Sequence, residues 1–404
     1  MLASIRQFNK TVWLIILATM ASRFTFFMAW PYLALILHQR FGLNEFQIGL
    51  MLTIAVTIGV LFGFYVGYLS DRYGRRRLML IGIALNVVSM LLLSVAAELP
   101  IFMIATMGAS IARSVIENPG RALLTDMLED RKAKDMALHL RYFVLNVGAA
   151  FGPLAGVAIG ATGTQLAFAL VALVYFVYFI AASIIFRLER PAHRSGINAA
   201  LRMRDVISVL RRDHIFLMFV AATFLANLTY GQTEAGLLQY LRHSGLLDVA
   251  GTYALLILTN GLTIVALQFP LLKLTENLTP LFRAAIGVAL FTFGFIGFAL
   301  LSPQSTINLV LSMLVLSVGE AILFPTLNVI VDHLAPDDMK GSYVGASSIH
   351  IFGFAFAPLF GGFLLFQFGG MVMWLTMAVL AIVVAVLFSA TAGRMNATAR
   401  QPIP

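Results

Sequence analysis

The chain has 404 residues, 60% of them hydrophobic and only 11% charged, with a mean hydropathy of +0.92. Soluble domains run nearer half apolar and a quarter charged, so a large soluble core is excluded. The net charge of +9 sits in short basic clusters between apolar runs, which marks membrane topology and not a nucleic-acid surface.

Apolar runs of about 20 residues can cross a hydrocarbon core as helix. Twelve such spans are expected in chain order. The first six cover 11–38, 46–69, 77–97, 99–128, 135–161 and 163–187. The second six cover 214–241, 249–272, 281–301, 306–334, 342–368 and 370–392. The opening MLASIRQFNK is charged like a signal peptide, but the run behind it is long, holds Arg23 and Pro31, and lacks a small-residue cleavage site. It is expected to stay as the first span. With both termini cytoplasmic, Arg40 and Arg242 fall outside and Arg23, Arg113 and Arg121 within spans. Every other Lys or Arg then lies in or beside a cytoplasmic segment, as in a bacterial inner-membrane protein. The expected fold is all-α and polytopic: a six-helix bundle over 1–188, a cytoplasmic linker over 189–213, and a second bundle over 214–404. The linker segment ALRMRDVISVLRR is amphipathic and suits the headgroup layer.

The halves repeat. NPGRALLTD sets Pro119 before Asp126 as FPTLNVIVD sets Pro325 before Asp332, and Pro153 and Pro358 follow at matching distances. Parallel six-helix repeats are the plan of transporters that rock two halves about a midplane site.

Ionisable residues at bilayer depth face a bundle interior or a wet cavity. In span one that residue is Arg23. In span four, Arg113, Glu117 and Arg121 are spaced four apart, so each pair can meet on one helix face. In span seven, Glu234 of YGQTEAGLLQY sits near Asn227, Tyr230 and Gln232, which are expected to line the cavity with Arg23 and Arg113. In span ten, Glu320 of SVGEAILFP has no basic residue within a turn or two. Low dielectric penalises the ionised form of such a carboxylate, which suits it to carrying a proton. A pairing with Arg23 or Arg113 from another span is the alternative. Glu320, Glu234 and Glu117 are the candidate coupling acids.

Between spans two and three, GYLSDRYGRRR supplies Gly67, Asp71, Arg72, Gly74 and Arg75. Gly74 permits a positive-φ turn, Asp71 can accept hydrogen bonds at a helix start, and Arg75 can pair with an acid. In span five, LNVGAAFGPLAG repeats Gly148, Gly152 and Gly156 every four residues around Pro153. Such a face allows close helix approach, whether for static packing or for sliding, and Pro153 kinks the helix.

The basic loop, the Gly-Pro motif and the helix count together resemble the major facilitator superfamily, and the motif of span five resembles its drug:proton antiporters. The resemblance implies that Asp71 faces the start of span eleven and that Arg75 pairs with Asp126. These residues would form a switch that is broken and remade, with spans five and eleven, the latter holding Pro358, as moving elements. The second-half counterpart of the loop keeps only Lys273 and Arg283, and Arg113 stands late for the family's span-four arginine.

The function expected is a proton-coupled exporter of small amphiphilic or zwitterionic compounds, such as drugs or short peptides, acting by alternating access. The alternatives are a proton-coupled importer of sugars, peptides or organic acids, or a receptor that moves nothing. No catalytic triad, phosphate loop or metal-ligand spacing is present, so no enzyme, cofactor or metal is expected. The expected partners are the substrate, protons and the bilayer, with no nucleic acid, and the working unit is expected to be a monomer.

Overall fold

The structure, a computed structural model, describes residues 5–160, 163–189, 213–334, 343 and 347–399. The amphipathic linker stretch therefore lies outside the described residues. All regular secondary structure among the described residues is helical. That follows from the solvent: lipid offers no partner to a backbone N–H or C=O, and a helix satisfies them within its own segment.

Span one is two helices, Lys10–Ala29 and Leu33–Phe41, parted next to Pro31, which has no N–H to continue the ladder. Spans two to six are Glu45–Tyr73, Arg75–Val95, Leu99–Asp126, Arg131–Ala158 and Leu166–Leu188. Span seven, expected as one run, is His214–Tyr230, Gln232–Ala235 and Leu237–His243, divided at Gly231 and Gly236. Spans eight to ten are Val249–Leu274, Pro280–Leu300 and Thr306–Leu334. The helical stretch Ile351–Ala399 holds spans eleven and twelve, parted at Gly369 with φ 81° and ψ 175°. Only glycine adopts that conformation without strain, and it brings the spans among the described residues to twelve.

Polar side chains start several of these helices. Asn9, Asp213, Asp248 and Thr279 each accept a hydrogen bond from a backbone N–H of the first turn. Asn44 and Gln47 cap span two reciprocally, each side chain accepting from the other's backbone N–H at 2.9 and 3.1 Å. Large apolar residues such as Val95, Ile104, Phe293 and Val386 point outward and stay exposed, as a lipid-facing surface requires.

The helices gather into two compact units divided near residue 200, with residues 44–50 at the start of span two belonging to the second. Each unit repeats one packing scheme. In the first, span one packs on span five and span three on spans four and six. In the second, span seven packs on span eleven, span nine on span ten, and Trp374 of span twelve stacks on Phe295 and Phe298 of span nine.

The glycine face of span five is filled by span one. A Cβ at Gly148 would lie 2.8 Å from the Met20 carbonyl oxygen, and one at Gly152 would strike that of Phe24. Gly156 and Pro153 are buried on the same helix. In the second unit Gly353 of span eleven meets the Phe224 carbonyl of span seven in the same way. Small residues at these positions let two backbones touch.

Because the chain has no cysteine, its topology is directly testable. Glu129, between spans four and five, and Leu247, between spans seven and eight, are both exposed. A cysteine replacing Glu129 should react with an impermeant maleimide only from the cytoplasmic side, and one replacing Leu247 only from the outer side.

Candidate functional site

The second unit builds an enclosed carboxylate around Glu320. Gly319, its neighbour in span ten, lies against Gly287 of span nine so closely that a Cβ on Gly319 would strike the Gly287 carbonyl oxygen. That contact sets the rotation of span ten, and Glu320 turns toward spans seven and eight. Tyr230 donates its hydroxyl to Glu320 Oε1 at 2.6 Å, and Asn260 Nδ2 donates to Oε2 at 2.5 Å. Asn260 also donates to Ser317 Oγ at 3.0 Å, while the Ser317 hydroxyl donates to the Met313 carbonyl at 2.7 Å. The directions of the Asn260 and Ser317 bonds are thereby fixed, and within the second unit both Glu320 oxygens meet neutral groups. Phe291, Phe324 and Phe354 surround the Tyr230 ring at centroid distances of 5.8, 4.9 and 5.7 Å. Glu234 is half-buried, and its charge reaches Glu320 as like-charge repulsion.

Two residues expected in the cavity have other work. Asn227 is buried and donates to the Thr223 carbonyl at 2.7 Å, with its Cβ beside Gly353. Gln232 is fully buried and donates to the Ala357 carbonyl at 2.9 Å. The break at Gly231 turns it toward span eleven, where Gly361 leaves room for its amide. Both residues are buried against span eleven. Pro358 is buried inside span eleven, and its carbonyl oxygen abuts Gly49 of the 44–50 segment. In the same segment Glu45 pairs with Arg242, with His243 Nδ1 at 3.6 Å.

The first unit carries a separate charged cluster. Arg113 Nε donates to Glu117 Oε1 at 3.0 Å, the i, i+4 pairing expected from the spacing. The Arg113 guanidinium also lies over the Phe26 ring at 4.4 Å, and Arg23 lies over Phe27 at 5.0 Å. The charges of Arg23 and Arg141 reach Glu117 as well. One guanidinium thus pairs with the carboxylate while two more act on it through their charge, and the cluster is net positive. Arg121 is exposed; its charge acts on Arg141, so it does not complete the triad expected with Glu117.

Arg75 Nη1 forms an ion pair with Asp126 Oδ2 within the first unit. Gly74 separates spans two and three with φ 90°. Arg72 is exposed and lies over its neighbour Tyr73 at 5.5 Å. Asp71 and Gly67 are helical; the Asp71 side chain lies outside the described residues, and so does its expected approach to span eleven.

Sequence reasoning did not single out Asn260, Ser317 or Arg141. A lone amide in the apolar run LTNGLT was the available signal for Asn260. Arg141 was grouped with the cytoplasmic basic residues that open span five, whereas its Nε is buried without a hydrogen-bond acceptor.

A valine at position 319 should push spans nine and ten apart and carry Glu320 away from Tyr230 and Asn260. Overpacking of this kind costs about 1–3 kcal/mol. A lowered melting temperature in detergent, with alanine at 319 milder than valine, is the expected result.

The family model of the Major Facilitator Superfamily matches residues 15–352. The uncharacterized MFS-type transporter YqjV of Bacillus subtilis (strain 168) is 27% identical, over 90% of this chain and 88% of its own length. A Na(+), Li(+), K(+)/H(+) antiporter of Planococcus maritimus is 22% identical, covering 88% of this chain and 89% of its own. Among solved structures, a glutamate-to-glutamine variant of the peptide transporter POT in complex with alafosfalin shares the fold. Its TM-score is 0.80 at 17% identity, over 97% of each chain. Twelve spans among the described residues in two repeated units, a family model spanning most of the chain and relatives covered nearly end to end agree: the chain belongs to the Major Facilitator Superfamily.

Proposed function

We propose that this chain is a proton-driven exporter of small amphiphilic or zwitterionic compounds across a bacterial cytoplasmic membrane, working by alternating access with Glu320 as proton carrier. The observation that carries the reading is the setting of Glu320: an acid inside a span, walled by phenylalanines, whose oxygens accept from the neutral groups Tyr230 and Asn260. A carboxylate charge at the centre of a membrane helix costs about 3 kcal/mol. The group therefore takes a proton when the site is dry and yields it when water or a cationic substrate group arrives. Glu234 is the second candidate. Glu117, ion-paired to Arg113, is a fixed charge and a poor proton carrier.

Antiport is supported by the relative named as a cation/proton antiporter. The Arg75–Asp126 pair, with Asp71, would be broken and remade in each cycle, and a single chain would form the whole path.

A second reading, a proton-coupled importer of peptides or organic acids, is favoured by the net positive cluster of Arg23, Arg113 and Arg141, which suits a substrate carboxylate. The fold shared with a peptide transporter is compatible with it. Proteoliposomes loaded with dyes or dipeptides under an imposed pH gradient separate the two. Substrate movement opposite to the proton supports the exporter, and movement with the proton supports the importer. A panel unmoved by either polarity speaks against both.

A further inference from the structure

Spans one and six enclose a groove of about 850 Å³ on their shared flank. Its walls are apolar, with Trp13 and Leu17 on one side and Leu173, Val177 and Ala181 on the other. Its ends are polar. At one end the Glu189 carboxylate accepts from the backbone N–H of Lys10 at 2.8 Å, from that of Thr11 at 3.2 Å, and from the Thr11 hydroxyl. The helix start thus occupies both carboxylate oxygens and leaves the Lys10 ammonium at the mouth. Arg76 adds a second cation nearby, donating to the Phe186 and Glu189 carbonyls at 3.0 and 2.8 Å. At the other end Ser22 and Tyr175 bring two hydroxyl groups to the lining.

The length of the groove carries the inference further. Lys10 to Ser22 spans about 18 Å of helix at 1.5 Å per residue. One leaflet of the hydrocarbon core is about 15 Å thick. The groove therefore runs from the membrane surface to the bilayer centre, cationic where headgroups lie and apolar where chains lie. Basic pockets between spans on the cytoplasmic side suit anionic headgroups.

We propose that this groove holds one acyl chain of an anionic phospholipid of the cytoplasmic leaflet, with its phosphate at Lys10 and its chain end at Tyr175. Tyr175 lies within the fields of Glu117, Arg113 and Arg23. A chain seated against it keeps water from that flank of the charged cluster, so lipid composition tunes the cluster without entering a transport path. The inference rests on a cytoplasmic amino terminus and not on the direction or substrate of transport.

Trp13 in the groove wall is the reporter. The protein is reconstituted in phosphatidylcholine with rising fractions of brominated phosphatidylglycerol or brominated phosphatidylcholine. Subtracting the quenching of Trp13→Phe isolates the Trp13 signal. Half-quenching is expected at about a five-fold lower fraction of the anionic lipid, the effect of one lysine near the surface. Lys10→Gln should bring the two lipids level, and Ala181→Phe, which fills the groove, should do the same. Equal quenching by both lipids in the native chain would overturn the proposal, as would a preference that survives both substitutions.

Discussion

Glu320→Gln should abolish transport driven by a pH gradient while leaving the protein folded. The glutamine amide is isosteric with the protonated acid and can still accept from Tyr230 or Asn260, so the hydrogen-bonded box survives. What is lost is the ability to exchange a proton. Gradient-driven flux is expected to fall to that of protein-free vesicles, whereas exchange of labelled for unlabelled substrate, which moves no net proton, should persist. Glu320→Asp should be partly active, because the shorter acid still titrates but reaches its donors less well. A Gln variant with undiminished gradient-driven flux would make Glu320 structural and shift attention to Glu234.

Arg113→Gln should weaken substrates that carry an acid group and spare those that do not. Arg113 is one of three guanidiniums whose charge acts on Glu117, so its loss leaves the Glu117 charge still opposed by Arg23 and Arg141. The fold should therefore tolerate the change. A hydrogen bond to a charged group is worth about 1.5–3 kcal/mol, which is about a ten- to hundred-fold rise in Kd. The comparison is between dipeptides with a free carboxylate and the same dipeptides amidated, in competition for flux. A selective loss with the free acids is expected. An equal loss for both forms would mean that Arg113 serves structure, and no loss would remove the cluster from recognition.

The architecture was legible because twelve apolar runs of the right length leave the chain few choices in lipid. Even the division at Gly369 could be read from the glycine pair that ends span eleven. The breaks at Gly231 and Gly236 could not, since a glycine inside a helical run is compatible with helix. Glu320 stood out as the lone acid of its span, but its partners did not. Nearly uniform apolar spans carry no stripe to show which face meets which neighbour, so Asn260, one helix away, gave no periodic signal. The packing of Asn227 and Gln232 against span eleven was hidden for the same reason. Their nearness to Glu234 in sequence says nothing of rotation, and the close approach of spans seven and eleven at Gly353 and Gly361 turns them inward. Arg75 and Asp126 came from a family likeness, because no spacing rule links residues in two separate helices.

The central claim is that Glu320 itself takes up and releases the proton. Infrared difference spectroscopy of the reconstituted protein, stepped between alkaline and acidic buffer, reads a protonated carboxyl directly through its C=O stretch. The account predicts a band in the native chain that is missing in Glu320→Gln and present in Glu234→Gln. An unchanged band in Glu320→Gln would contradict it.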